Sequence, residues 1–295
     1  SGELDIPMAG VFGVQSLLFL AFFIAFAIKV PIWPFHSWLP DAHVQAPTAA
    51  SVLLASVLLK MGSYGMIRFN LQLFPEASLE WAPYIAVLAV IGIIYGAWVA
   101  YAQTDMKKLV AYTSVSHMGF VVLGIFALTA AGIQGSILQM VNHGISTGGM
   151  FVIVGMLYER RHTRQMSAYG GLWGTMPLFG ALALIISLSS MGLPGTNGFV
   201  GEFTVLLGSL NSNVLGIVYA LLAATGVILA AIYILAFYQK VFMGEVKHEE
   251  NRNLPKLHWT ELTILVSLVI MILWIGLAPN AFISPMDTST NALVQ

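Results

Sequence analysis

The chain has 295 residues, of which 58% are hydrophobic and only 8% charged, with a formal net charge of −1 and a mean hydropathy of +0.85. Soluble domains carry about 25% charged residues, so this composition cannot build a water-soluble surface, and its near-neutral balance gives no nucleic-acid signal. The absence of cysteine excludes iron–sulfur ligation and disulfides within the chain.

An all-α polytopic membrane protein is the remaining class, because apolar runs of about 20 residues suit helices rather than barrel strands. The start, Ser1-Gly2-Glu3-Leu4-Asp5, has no initiator methionine and no basic region, so it reads as an interior loop and not as a signal peptide. Apolar segments then fall at Met8–Trp38, Pro47–Phe69, Trp81–Ala102 and Leu109–Thr129. Four more follow at Ile133–Leu157, Trp173–Leu210, Val214–Phe242 and Glu261–Ile283, giving an expectation of about eight spans. Short connections such as Thr129–Gly132 and Asn211–Asn213 imply antiparallel neighbours in a bundle. No separate soluble domain is visible.

Loops after the first, third, fifth and seventh spans carry Lys107, Lys108, Arg160, Arg161, Arg164, Lys240, Lys247, Arg252 and Lys256. The opposite side has Arg68 alone; with Lys29 and Lys60 inside the spans, this accounts for all 12 basic residues. The positive-inside rule makes the first set cytoplasmic, or matrix- or stroma-facing in an organelle, and puts both ends of the chain on the far side, periplasmic in a bacterium.

Two spans are too long and contain helix breakers. The first holds Lys29-Val30-Pro31-Ile32-Trp33-Pro34, and the sixth holds Gly192-Leu193-Pro194-Gly195-Thr196-Asn197-Gly198. Unwound backbone at membrane depth is tolerated where it is buried in protein or lines a wet cavity. The breaks are five spans apart, so the two helices cross in opposite directions, the pattern of a transporter built from inverted repeats. The bland reading is a pair of ordinary proline kinks.

The intramembrane polar set is small. Lys60 follows eleven uncharged residues, Ala49 to Leu59, and precedes seven, Met61 to Ile67. A lysine at that depth costs about 2.5–3.5 kcal/mol on insertion scales, so something must hold it there. Of the 13 acidic residues, Glu202 is the exception to a pattern of loops and span ends. His143 lies mid-span and His117 within the fourth span, whereas His36, His43, His162, His248 and His258 fall in loops or at span ends.

Together, Lys29, Lys60, His117, His143 and Glu202 read as a proton wire, since lysines and histidines with shifted proton affinities can load and release protons. No metal spacing accompanies them. Each also has a structural reading: Lys29 snorkelling to the interface, Glu202 at the far headgroup level, and the two histidines as interhelical hydrogen-bonders. Trp81 and Trp259 read as interfacial belt residues.

Several motifs carry a resemblance. Phe35-His36-Ser37-Trp38-Leu39-Pro40-Asp41-Ala42-His43, Ala46-Pro47-Thr48, Leu58-Leu59-Lys60-Met61-Gly62 and Tyr64-Gly65 resemble the proton-conducting, antiporter-like (Mrp-related) membrane subunits of complex I. Ser114-Val115-Ser116-His117-Met118-Gly119, Leu157-Tyr158-Glu159-Arg160, His162-Thr163-Arg164, Pro194-Gly195-Thr196 and Phe199-Val200-Gly201-Glu202-Phe203 fit the same family, so the similarity covers nearly the whole chain.

The resemblance implies a fourteen-helix fold with two inverted five-helix repeats, of which this chain supplies helices seven to fourteen. Residues 1–70 would close the first repeat, 71–258 form the second, and 259–295 give a C-terminal helix and tail. Lys29 would be the lysine of broken helix seven, whose family partner is a glutamate on helix five that nothing here matches. Lys60 falls on the central lysine, Glu202 on the terminal carboxylate of broken helix twelve, and His117 and His143 on histidines of the central axis.

The implied function is proton translocation in a membrane-arm subunit of an NADH:quinone oxidoreductase in the bacterial cytoplasmic membrane. The chain would be part of an enzyme without catalysing redox chemistry itself: no strand–GxGxxG–helix context and no cysteine are present. NADH, FMN, iron–sulfur clusters and quinone are expected on other subunits, and the partners are other membrane-arm subunits, including paralogous antiporter-like ones. Charge would shift from Lys29 through Lys60 and His143 to Glu202. Other readings are an Mrp-type cation/proton antiporter subunit, a membrane subunit of a hydrogenase-type complex, and a passive subunit whose buried charges only lock helix packing.

Overall fold

The computed structural model describes residues 13–294; Ser1–Asp5 and the beginning of the first expected span lie outside them. The described chain is almost wholly helical. In order, the helices are α1 (Val14–Lys29), α2 (Trp38–Gln45), α3 (Thr48–Leu71), α4 (Pro75–Tyr101), α5 (Met106–Phe126) and α6 (Ala130–Arg161). Then come α7 (Pro177–Ser190), α8 (Asn197–Leu210), α9 (Ile217–Phe242), α10 (Trp259–Leu277) and α11 (Asp287–Val294). Six of them, α3, α4, α5, α6, α9 and α10, are long and apolar enough to cross a membrane unaided. The pairs α1–α2 and α7–α8 each make one interrupted crossing, which completes the eight expected spans.

One boundary differs from the sequence reading. The first span was expected to end at Trp38, but the helix resumes there and runs on to Gln45. Pro40 occupies the first turn of α2, where a missing backbone N–H breaks no intrahelical bond, so a proline that looks like a stop is compatible with a start. His43, assigned to a loop or span end, lies in the last turn of α2, is fully buried, and stacks on Phe151 with ring centroids 4.3 Å apart.

Local signals set the other ends. Asp105 caps α5 by accepting from the Lys107 and Lys108 amides, and Thr129 caps α6 through Gly132 N–H. His258 and Glu261 form a reciprocal capping box on α10. In the connection before α7, Tyr169 is buried and its phenol donates to the Leu157 and Thr163 carbonyls. Burial pushes that phenol up to about 12, which keeps it a donor.

Contacts between connections sort the bundle into two ends. At one, Lys107 Nζ donates to Ala46 O (2.5 Å), Arg164 donates to Val44 O (2.8 Å), and Arg160 grips Glu261 with two bonds of 2.8 and 2.6 Å. At the other, Ser16 donates to Glu80 (3.1 Å), Ser212 to Ala127 O (2.7 Å) and Gln134 to Asp287 (2.8 Å). The basic loops therefore share one end, and both ends of the described chain lie at the other. The α1–α2 and α7–α8 crossings run in opposite directions.

Helix α5 is buried along nearly its whole length, which explains an apolar sequence on all faces rather than a stripe. Glycines let its neighbours approach: a Cβ at Gly96 of α4 would sit 2.8 Å from the backbone nitrogen of Ser116. Helices α6 and α8 meet in the same way, because a Cβ at Gly208 would overlap the backbone of Gly132. Backbone cannot yield as a flexible side chain can. Gly208→Ala is therefore expected to destabilise the fold by about 1–3 kcal/mol, the scale of overpacking. Gly174→Ala, with nothing within 4 Å of its Cβ position, is the control, and thermal unfolding of the two detergent-solubilised variants should separate them.

Candidate functional site

Lys60 sits in α3 between two π-helical turns, Leu54–Leu58 and Met66–Leu71. Wide turns of this kind shift the helical register locally and often mark functional positions. The Lys60 ammonium donates to the Ala55 carbonyl and lies 2.5 Å from His143 Nδ1 on α6. The two helices are held in register beside this contact by Ser56 Oγ donating to Gly144 O at 2.9 Å. The first break packs against the same stretch, since a Cβ on Gly62 would meet Val30, the Phe26 carbonyl and Lys29 Cβ.

His143 leads across the bundle to His117 on α5, the ring centroids being 5.8 Å apart at 68°. His117 Nδ1 lies 2.8 Å from Glu202 Oε1 on α8, and Gln139 Nε2 donates to the same oxygen at 3.1 Å. The Tyr233 hydroxyl on α9 is 3.4 Å from His117 Nε2. His117, His143, Gln139 and Glu202 are each exposed by 4% or less, and Tyr233 not at all. A charge held this way must be paired and hydrogen-bonded, because no water shell compensates it. Glu202 is therefore a carboxylate in the interior of the bundle.

The second break supplies the floor of this cluster. Asn142 Nδ2 donates to Asn197 O at 2.7 Å, and Asn197 Oδ1 accepts from Ser146 at 3.2 Å and from Ser189. Polar groups freed by unwinding between α7 and α8 thus find partners within the protein. Gly192, at φ +76°, lies close under the carboxylate: a Cβ there would be 3.1 Å from Glu202 Oε2. Pro194 and Gly195 form the turn itself, with Thr196 N donating to Leu193 O at 3.1 Å and Gly195 at φ +91°. Pro31 and Pro34 occupy the corresponding turn between α1 and α2, bridged by Trp38 Nε1 donating to Ile28 O at 2.9 Å.

The structure brings Lys60, His143, His117 and Glu202 together and leaves Lys29 apart. Lys29 is the last residue of α1, is exposed, and makes no hydrogen bond or ion pair among the described residues. Gln139, Asn142, Asn197 and Tyr233 were not anticipated. Gln139 and Asn142 precede His143 by four and one positions, a helical spacing that puts all three on one face and was readable. Tyr233, one tyrosine in an apolar run, gives no such signal. Among the described residues, no group of three or more histidine, aspartate or glutamate side chains is placed to hold a metal ion.

Residues 5–228 match the family described as NADH:quinone oxidoreductase/Mrp antiporter, transmembrane. The chain belongs to this family. A curated relative, NADH-quinone oxidoreductase subunit M from Rickettsia prowazekii (strain Madrid E), is 48% identical over 280 residues, covering 95% of this chain and 56% of the relative. The chain thus spans about half the length of the curated relatives it matches. Among solved structures, a chain of respiratory complex I from Thermus thermophilus with bound NADH is similar with a TM-score of 0.87 at 36% identity, over 95% of this chain and 59% of that one. A chain of the Mrp complex from Dietzia sp. DQ12-45-1b shares the fold, with a TM-score of 0.87 at 19% identity over 95% of this chain and 60% of that one.

The antiporter-like family fold thus places an unwound, polar segment against a buried carboxylate, and Asn197 is its principal knot. Asn197→Ala leaves Ser189 and Ser146 without their shared acceptor, a loss of about 1–3 kcal/mol for buried groups. Amide hydrogen exchange should quicken across residues 191–198 in that variant. It should be unchanged in Thr225→Ala, an exposed site whose hydroxyl bonds only to its own helix.

Proposed function

We propose that this chain is the proton-conducting part of a membrane-arm subunit of an NADH:quinone oxidoreductase, moving H⁺ along Lys60, His143 and Glu202. The observation that supports this is the cluster of ionisable groups inside the bundle, half-buried Lys60 with buried His143, His117 and Glu202, between two interrupted helices. Interior ionisable residues on facing helices mark ion or proton pathways, because their cost has to be offset by function or pairing. Moving a proton from Lys60 to His143 displaces positive charge toward Glu202 while the total stays constant, so no new charge is created in a low-dielectric interior.

The redox chemistry lies on other subunits, which hold NADH, FMN, iron–sulfur clusters and quinone. The exposed Lys29 is the point at which neighbouring polypeptide meets the relay, and a carboxylate is the partner its charge calls for. Other membrane-arm subunits, antiporter-like paralogues among them, complete the assembly. With the basic loops on the cytoplasmic side of a bacterial inner membrane, both described ends face the periplasm. In this reading residues 1–70 end one inverted repeat, 71–258 form the second and 259–295 add a terminal helix and tail. An Mrp-type cation/proton antiporter subunit is the second reading, favoured by the fold shared with the Dietzia chain; the higher identities to complex I chains favour the first.

Redox-driven proton uptake by vesicles carrying Lys60→Ala tests the proposal, alongside a check that the complex assembles. The expected result is loss of pumping and of coupled oxidoreductase activity with assembly intact. Normal pumping in an assembled Lys60→Ala complex would leave Lys60 a packing residue. Transport that depends on Na⁺ would favour the Mrp-type reading.

A further inference from the structure

The two histidines of the relay look alike in sequence, but their ring nitrogens meet different chemistry. His143 Nδ1 faces the Lys60 ammonium at 2.5 Å. An ammonium has only donors, so Nδ1 is the accepting nitrogen, and the neutral ring carries its N–H on Nε2. His117 Nδ1 faces a Glu202 oxygen at 2.8 Å. A carboxylate only accepts, so His117 carries its N–H on Nδ1, and its Nε2 accepts from the Tyr233 hydroxyl 3.4 Å away. With Lys60 and Glu202 charged and both rings neutral, the two rings hold opposite tautomers.

Their second nitrogens differ as much. His117 Nε2 meets a phenol on the buried face of α9, so a proton could reach this ring through Nε2, for hand-over to Glu202 Oε1, only by way of a group that would itself have to ionise. His143 Nε2 has no protein partner, and neither has Glu202 Oε2. Both residues line one small polar void that has room for about one water molecule. His117 and Gln139 also border it, but the nitrogens that pair them with Oε1 and Tyr233 are already engaged, whereas His143 Nε2 and Glu202 Oε2 are not. The other carboxylate oxygen, Oε1, is held by His117 and Gln139.

Resting on the proton-pumping reading above, we propose that His143 alone relays the proton to Glu202, across this void, and that His117 is a positioning residue that clamps Oε1. In the step, an N–H bond of Lys60 breaks and a new one forms at His143 Nδ1. The Nε2–H of the same ring goes to the bridging water, and a proton of that water goes to Glu202 Oε2. One proton has moved; Lys60 is left as an amine, Glu202 as an acid, and His143 as the other tautomer. The ring must return its N–H to Nε2 before the next transfer, so the relay passes one proton per reset.

The test uses the assembled complex in vesicles and three variants. His143→Asn can still accept from Lys60 but cannot pass a proton through, and pumping should fall about tenfold or more. His117→Leu removes the clamp and should also fall. His117→Asn places an amide N–H where Nδ1–H stood, with no ability to titrate, and should rescue pumping to within about threefold, the scale of one reshaped neutral hydrogen bond. An assembled His117→Asn complex as inactive as His117→Leu would overturn the assignment, as would normal pumping by His143→Asn. Normal pumping by Lys60→Ala would instead remove the underlying reading. If a substituted complex does not assemble, ¹⁵N spectra of the histidine-labelled unsubstituted complex read the same point: one buried ring protonated at Nδ1 and one at Nε2 supports the division, and two identical tautomers contradict it.

Discussion

Everything in this structure follows from keeping a lysine and a glutamate inside an apolar bundle. Lys60 is half-buried and Glu202 buried, away from bulk water, so each charge needs polar partners delivered at the right depth. Lys60 obtains them from the Ala55 carbonyl of its own helix and from His143. Glu202 obtains them from His117 and Gln139. No two of these partners for a given charge come from one unbroken helix, so the bundle must hold α3, α5, α6 and α8 at close quarters around a common line.

Two devices achieve that closeness. Glycines remove side chains where backbones meet, as at Gly208 against Gly132 and Gly201 against Gln139 and Asn142. Interrupted helices supply backbone and side-chain polar groups at mid-depth, with Asn197 tying the α7–α8 break to α6. The α1–α2 break packs beside Lys60 and the α7–α8 break beside Glu202, so the polar cluster lies between the two interruptions.

Much of this was legible in the residues. A lysine with uncharged residues on both sides, a single interior glutamate, a mid-span His143 and a His117 within its span are rare enough in an apolar chain to stand out singly. Their pairing was not legible, since the His117–Glu202 and Lys60–His143 contacts depend on which helices are neighbours, and spacing along the chain says nothing about that. The first span was expected to end at Trp38, yet α2 begins there; a first-turn proline such as Pro40 is compatible with a helix start. Tyr233 stayed hidden for a different reason: its role comes wholly from the face of α9 that meets α5. Lys29 was assigned to the same wire, yet within this chain it stands apart from the four clustered groups, on an exposed surface.

The central claim is that Lys60 and Glu202 lie on one serial path. The most direct measurement is a double-substitution cycle on proton-to-electron stoichiometry, comparing Lys60→Ala, Glu202→Gln and the pair in assembled complexes. Groups acting as one unit are strongly non-additive, so the account predicts that the double variant pumps no worse than the more impaired single one. Losses that multiply, as expected of independent sites, would contradict a single path and separate the two charges into unrelated roles.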